Sequence, residues 1–138
     1  MKVYDGNIEP DDNTIFVFGS NPEGRHGAGS ALVAVKYFGA KYGQGEGLQG
    51  QSYALPTTIL GVVNKMTLDE ITENVRKMYA CALEHPDKDF KVAYRNKPWE
   101  VTLCGYSGKQ LQKCFKDAGD IPENVWFSRE WYESGNLT

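Results

Sequence analysis

The first clear hydrophobic pattern in the chain is a short run that is almost continuously apolar. Residues 14–18 read Thr-Ile-Phe-Val-Phe, and a β-branched and aromatic run without polar alternation is typical of a central strand buried on both faces. Glycines follow at positions 19, 24, 27 and 29, and a helical pattern begins at residues 31–34, Ala-Leu-Val-Ala. The pattern predicts a strand, a glycine-rich loop and a helix that starts at about Gly29.

A stronger helical periodicity begins after residue 66. Thr67 and Glu70 have the spacing of a capping box, and Pro86 ends the predicted helix after His85. The apolar stripe that we expect to face the core comprises Leu68, Ile71, Val75, Met78, Ala82 and Leu83.

The remaining elements are shorter. Residues 39–50 are rich in glycine and are predicted to form a long irregular loop. Strands are predicted at 52–55, 90–94, 99–104 and 125–127, and a helix at 109–116 with Leu111, Cys114 and Phe115 facing inward. Residues 95–98 form either a hairpin turn between two of these strands or part of one long loop.

The order of these elements predicts the fold class. Strands alternate with helices along most of the chain, which favours an α/β protein, a three-layer α/β/α sandwich with a mixed, largely parallel sheet. A chain of 138 residues is expected to form a single domain over residues 1–138. Ligands of such sheets lie at the carboxyl ends of the strands. Two glycine turns that precede helices, at residues 19–29 and 105–108, fall at such ends.

Composition and charge narrow the classes of function. The chain is 41% hydrophobic and 24% charged, which is typical of a soluble globular protein. Its apolar runs are too short to cross a bilayer, and its first residues lack a signal-peptide pattern, so we expect no membrane association and a cytoplasmic location. A formal net charge of −3 argues against a surface for duplex nucleic acid.

Cysteine and histidine usage argues against metal and disulfide chemistry. The three cysteines, Cys81, Cys104 and Cys114, are widely spaced, and the only histidines are His26 and His85. This predicts neither a zinc site nor a disulfide framework, and we expect no metal and no cofactor. Cys81 and Cys114 fit apolar helix faces. Cys104, which precedes a glycine turn, is either a nucleophile with His26 as its base or a buried core residue.

The first glycine turn carries the most specific chemistry. Residues 19–24 match the first half of a Walker A motif, but Arg25 and His26 stand where lysine and serine or threonine belong, which excludes a P-loop NTPase. The glycine spacing also departs from the dinucleotide fingerprint. Glycines before a helix start still let backbone amides receive an anion, with Arg25 and His26 as further donors. The alternative is that these glycines only shape a tight connection.

Residues 18–31, Phe-Gly-Ser-Asn-Pro-Glu-Gly-Arg-His-Gly-Ala-Gly-Ser-Ala, resemble the ADP-ribose-binding loop of macrodomains. The branch with the pattern N-x-x-G-x-x-G-K-G-x-A is the most similar, because Asn21, Gly24, Gly27, Gly29 and Ala31 fall in register. The strand at 53–57, the helix after residue 67 and the turn at 105–108 stand where that branch has its next elements. The loop pattern is also similar to that of small bacterial and phage proteins, but this similarity indicates no function.

The resemblance implies a set of ligand contacts. Asn21 would face the distal ribose, residues 27–29 would approach the diphosphate or that ribose, and the turn at 105–108 would close over the phosphates. The ligand-binding residues that we expect are Gly19, Ser20, Asn21, Gly24, Arg25, Gly27, Ala28, Gly29, Gly105, Tyr106, Ser107 and Gly108. Tyr106 is singled out as an aromatic for the ligand, because burial is hard to arrange within a glycine turn.

Catalysis is less well defined than binding. In the branch of the family that removes ADP-ribose from nucleic acid, the residue between the two glycines is a lysine, and here it is Ala28. Asn21 and His26 are the remaining candidates for catalysis, and a histidine suits proton transfer near neutral pH. His26 is otherwise a hydrogen-bond donor to the ligand or a residue that fixes the loop.

The sequence therefore predicts a macrodomain-like protein that binds ADP-ribose or a related nucleotide derivative. If it is an enzyme, the family's usual chemistry is hydrolysis of an ADP-ribosyl bond or of a phosphate on ADP-ribose. The alternative is a non-catalytic protein that sequesters a nucleotide signal or mediates interactions. A single-stranded nucleic-acid binder is disfavoured by the acidic balance. We expect the glycine-rich residues 39–50 to cover the site.

Overall fold

A computed structural model describes residues 2–59, 65–95, 98–102 and 104–134. The chain is an α/β protein with a mixed, mostly parallel sheet of six strands in the order β1-β6-β5-β2-β4-β3. Among the described strands, only β3, which pairs with β4, is antiparallel to its neighbour. The strands are β1 (Lys2–Tyr4), β2 (Thr14–Ser20), β3 (Gly47–Gln49), β4 (Ser52–Pro56), β5 (Asp89–Val92) and β6 (Val125–Ser128). The helices are α1 (Gly29–Tyr37), α2 (Leu68–Glu84), α3 (Gly108–Asp117) and α4 (Arg129–Glu133).

The central strand β2 separates two groups of buried side chains. Ile15 and Val17 belong to a large cluster that includes residues of α2 and α3, whereas Phe16 and Phe18 pack with Ala31 and other residues near α1. Successive side chains of a strand point to opposite faces of the sheet. Both faces of β2 are therefore covered, which explains why this segment lacks polar alternation.

The longest helix begins and ends as the sequence predicts. The amide of Glu70 donates to Thr67 Oγ1 at 3.1 Å, and the amide of Thr67 donates to Glu70 Oε1 at 3.1 Å, which is a complete capping box. His85 is the C-cap residue. Most of the predicted stripe is buried, but Leu83 is 68% exposed. Its inclusion was wrong because it lies about 100° around the helix from Ala82, beyond the buried face.

The predicted strand at residues 99–104 is absent from the described part of this segment, where Val101 makes only an isolated bridge with Ser107. Its backbone groups are used elsewhere. The amide of Gly108 donates to Glu100 O at 3.0 Å, and the amide of Lys109 donates to Pro98 O at 3.0 Å. The segment therefore packs on the start of α3 instead of extending the sheet. Part of the predicted turn at 95–98, residues 96–97, and position 103 lie outside the described residues.

Three short elements were not predicted. β3 lies within residues 39–50, where only an irregular loop was expected, because Gly47–Gln49 pairs with β4. The edge strand β1 pairs with β6 near the start of the chain, and α4 follows β6 directly. Each is three to five residues long, too short for hydrophobic periodicity to reveal it.

Candidate functional site

A cavity of about 720 Å³ opens at the carboxyl ends of three neighbouring parallel strands, β5, β2 and β4. This is the edge of a parallel sheet where ligands bind. One wall comes from the end of β2, the first glycine turn and the start of α1. The other comes from segments that follow β4 and β5. The lining residues are Gly19, Ser20, Asn21, Arg25, Ala28, Ser30, Ala31, Thr57, Thr58, Ala93, Tyr94, Arg95, Glu100, Thr102 and Cys104.

The start of α1 presents unused backbone donors to this cavity. Its N-cap residue, Ala28, has an extended backbone and makes no side-chain cap, and the first turn contains no acidic residue. The amides of Gly29, Ser30 and Ala31 donate to no acceptor among the described residues. Because the start of a helix also carries a partial positive charge, this wall is suited to an anion.

Asn21 holds the first glycine turn in shape. The amide of Arg25 donates to Asn21 Oδ1 at 2.9 Å, and Asn21 Nδ2 donates to Arg25 O at 3.1 Å. Both polar ends of this buried side chain are therefore engaged within the turn. Asn21 lines the cavity, and its implied contact with a ribose stays a prediction.

The four glycines of the first turn have different surroundings in the structure. Gly24 has φ +71°, and a Cβ there would lie 2.4 Å from Gln44 N, so the turn accepts no side chain at this position. At Gly19 a Cβ would lie 2.6 Å from Tyr94 Oη. Gly27 and Gly29 have open space around them. Gly29 also has a positive φ of +58°. Of these four, only Gly19 lines the cavity.

His26 points away from the cavity. Its side chain is only 1% exposed, although its neighbours Arg25 and Gly27 are exposed. Its Nε2 lies 2.9 Å from Gln44 O, and because a carbonyl only accepts, Nε2 carries the proton. Its Nδ1 is buried without a hydrogen-bond partner among the described residues. This placement matches the loop-fixing alternative, and a role in proton transfer stays a prediction.

The second glycine turn does not line the cavity. Gly105, Tyr106, Ser107 and Gly108 all lie outside its walls. Tyr106 is 8% exposed, and its hydroxyl donates to Met66 O at 2.6 Å. The expectation that burial is hard to arrange here was wrong, because the ring belongs to the large buried cluster of the core. Lys65 Nζ lies 4.2 Å from the ring centroid.

The start of α3, which follows this second turn, has no free donors in its first three positions. The amides of Gly108 and Lys109 donate to backbone oxygens of residues 100 and 98, as described above. The amide of Gln110 donates to Ser107 Oγ at 3.2 Å, and Gln110 Oε1 accepts from the amide of Ser107. An anion would find no available amide at this helix start.

The wall facing α1 is rich in hydroxyl groups. Tyr94 Oη donates to Thr57 Oγ1 at 3.3 Å, and burial raises the pKa of Tyr94 well above its usual range, so the phenol stays protonated. Cys104 Sγ lies 2.8 Å from Thr102 Oγ1. His26 does not line this wall, so it is not the neighbouring base that a Cys104 nucleophile would need.

Among the described lining residues, the charged groups are two arginines and one carboxylate. Arg25 and Arg95 are exposed at the lining, as is Glu100. Arg95 also donates to Gly6 O and lies 5.6 Å from the ring centroid of Tyr4. The arginines add positive charge to that of the α1 start. Glu100 offers an acceptor for hydroxyl or amino groups.

Sequence reasoning missed more than half of this cavity. The lining residues that it assigned to no site are Ser30, Ala31, Thr57, Thr58, Ala93, Tyr94, Arg95, Glu100 and Thr102. Several directly follow β4 and β5, so the rule that ligands lie at the carboxyl ends of strands could have found them. Residues 39–50 line no part of the cavity, so the described structure gives them no covering role.

Comparisons with known proteins supply no family. The chain matches no protein-family model, and a search of curated proteins found no match. Within the described ranges, no helix is long and apolar enough to cross a membrane. The same residues hold no group of three or more histidine, cysteine or acidic side chains placed to bind a metal.

Proposed function

We propose that this cavity binds ADP-ribose or a related nucleotide derivative, with a phosphate on the amides at the start of α1. In this proposal the fold is a three-layer, macrodomain-like sandwich. The two buried clusters on opposite faces of β2 support that arrangement. The register of residues 21–31 with the macrodomain loop pattern points to the same ligand class.

The observation that carries the proposal is the open start of α1. Three consecutive amides, those of Gly29, Ser30 and Ala31, lack acceptors among the described residues, and two of these residues line the cavity. Charge-assisted hydrogen bonds from backbone amides to phosphate are stronger than neutral ones. A phosphate at this position would satisfy donors that the folded chain leaves unused.

The size and chemistry of the cavity fit a nucleotide. A volume of about 720 Å³ falls within the roughly 300–1,000 Å³ of small-molecule sites. The arginines favour an anionic ligand, while Glu100 and the threonine hydroxyls suit ribose hydroxyls or an exocyclic amine. Inorganic phosphate would use only part of this lining.

Binding without hydrolysis is the form of the proposal that the residues favour. Ala28 has no group that transfers a proton, and His26 lies outside the cavity lining. Hydrolysis that depends on the family's lysine therefore lacks the necessary side chain in this protein. A protein that sequesters a nucleotide signal is this non-catalytic form, and it differs from an enzyme only in turnover.

Calorimetric titration with ADP-ribose, AMP and NAD tests the proposal. We expect the parent protein to bind ADP-ribose most tightly and Gly27→Glu to lose this binding, because the added negative charge, two residues before the start of α1, would repel a phosphate there. Gly27 is exposed with open space around it, so the variant should fold. Gln110→Glu adds the same charge at the second turn and should bind as the parent does. Failure of ADP-ribose to bind the parent would overturn the proposal.

Turnover separates the two candidate functions. ADP-ribose 1″-phosphate and an ADP-ribosylated oligonucleotide are incubated with the protein, and the products are resolved by chromatography. Sequestration predicts tight binding with no product beyond the buffer control. Product formation that persists in His26→Gln would establish an enzyme that does not use His26 for proton transfer.

A further inference from the structure

We infer that His26 is a positioning residue, which fixes the first glycine turn against residues 39–50 so that the α1 amides are preset for a phosphate. We call residues 39–50 the brace segment. The ligand part of this inference rests on the proposed function. This role accounts for two features that the cavity does not explain. One is a buried histidine within an exposed turn, and the other is a glycine-rich segment outside the site.

The side chain of His26 joins three parts of the structure. Its Nε2 donates to Gln44 O of the brace segment at 2.9 Å. Its ring lies edge-on to Phe18 of β2, with 5.0 Å between centroids and an interplanar angle of 88°. The ring of Tyr42 lies 6.4 Å away on the brace side. The turn is therefore tied through one side chain to both the sheet and the brace segment.

The backbones of the turn and the brace segment also touch directly. The amide of Gly43 donates to Gly24 O at 2.8 Å, and Ser20 Oγ donates to Gly45 O at 2.8 Å. A Cβ at Gly45 would lie 2.2 Å from Asn21 O. Such close approach explains the glycines on both sides of this contact.

The brace segment is itself held in place by Gln49, a buried residue of β3. Gln49 Oε1 accepts from the amide of Lys41 at 2.8 Å, and Gln49 Nε2 donates to Gln44 O at 3.2 Å. Gln44 O thus receives both Gln49 and His26. Because β3 pairs with β4, the brace connects the turn to the edge of the sheet.

The arrangement separates the two sides of the turn. Arg25 lines the cavity, while the next residue, His26, faces the brace segment. Loss of the imidazole would leave Gln44 O without one of its two donors and open a space beside Phe18. The turn would then sample other conformations, and a ligand would have to order it on binding, which weakens affinity.

Three variants test the inference: His26→Ala, His26→Gln and His85→Ala. Glutamine can place an amide N–H near Gln44 O, so it should rescue what alanine loses, although it cannot act as an acid or base. His85, the C-cap of α2, is the matched control for loss of a histidine. The readouts are amide hydrogen exchange without ligand and titration with ADP-ribose.

In His26→Ala we expect exchange of the Gly24, Arg25 and Gly43 amides to accelerate by roughly tenfold, and ADP-ribose affinity to fall by a similar factor. His26→Gln should stay within about threefold of the parent in both readouts, and His85→Ala should leave these three amides unchanged. The exchange of α2 amides reports whether any variant is globally destabilised.

Unchanged exchange at the turn in His26→Ala, with or without ligand, would overturn the inference. So would equal losses in the alanine and glutamine variants. If the parent fails to bind ADP-ribose, the proposed function is wrong, whereas the exchange measurement still decides whether His26 and the brace segment fix the turn.

Discussion

The two glycine turns that precede α1 and α3 resemble each other in sequence but differ at the helix starts that they lead into. Both follow segments near the same edge of the sheet, and both contain glycine and serine. Within the described part of the chain, the α1 start leaves the amides of Gly29, Ser30 and Ala31 without acceptors, whereas the α3 start satisfies its first three amides with backbone oxygens and Ser107. Only the first turn lines the cavity.

Glycine content alone therefore does not identify an anion site. Glycine permits close approach of a ligand, but the donors must also be left unused by the protein. A serine with a glutamine three residues later, as at Ser107 and Gln110, marks a helix start that closes on itself. An alanine at the N-cap position marks one that remains open.

Substitution of Gly24 is expected to destabilise the protein more than any other change at the two turns. Gly24→Ala puts a Cβ 2.4 Å from backbone atoms at a φ of +71°, which should cost about 2–5 kcal/mol of unfolding free energy from steric overlap and backbone strain. Gly29→Ala shares the positive φ but meets no atom within 4 Å, so it should cost only about 1–2 kcal/mol. Urea unfolding of both variants measures the difference. Equal losses would contradict the close packing that we describe.

A substitution that closes the α1 start should move stability and affinity in opposite directions. Ala28→Asp supplies the missing N-cap, so unfolding free energy should rise by about 1 kcal/mol. Its carboxylate would occupy the amides and repel a phosphate, so ADP-ribose affinity should fall by roughly 100-fold.

The neutral isostere Ala28→Asn separates these two causes, because it caps the helix without adding charge. It should give an intermediate loss of affinity. Asp and Asn variants that bind ADP-ribose as tightly as the parent would show that the phosphate does not use these amides.

The smallest effect is expected from opening the second turn. Ser107→Ala removes the side-chain acceptor for the amide of Gln110 and should lower unfolding free energy by about 1 kcal/mol. Affinity for ADP-ribose should stay within about twofold of the parent, because this turn lies outside the cavity lining. A large loss of affinity with intact folding would place the second turn back in the site.

Much of the fold could be predicted from the sequence. The strands β2, β4, β5 and β6 and the helices α1, α2 and α3 were predicted because continuous apolar runs, helical periodicity and capping residues are local signals. Residues 99–104 were wrongly predicted as a strand, because β-branched and aromatic residues are typical of one. In the structure, backbone oxygens of residues 98 and 100 instead accept hydrogen bonds from the start of α3. That choice depends on tertiary contacts which no local pattern encodes.

The site could be predicted only in part. The loop pattern led to the wall that contains Asn21, Arg25 and Ala28, but the wall formed by Thr57, Tyr94 and neighbouring residues arises where separate strands end side by side. The orientation of His26 was equally hidden. From the sequence alone, a histidine next to cavity residues is a candidate acid or base. Its contact with Gln44 is visible only in the structure.

Phosphate binding at the start of α1 is tested most directly by a proton–nitrogen correlation spectrum recorded during titration with ADP-ribose. We predict that the amide resonances of Gly29, Ser30 and Ala31 shift progressively as phosphate accepts their hydrogen bonds, while those of Gly108, Lys109 and Gln110 keep their positions. Shifts at the α3 start with unmoved resonances at the α1 start would contradict phosphate binding at α1.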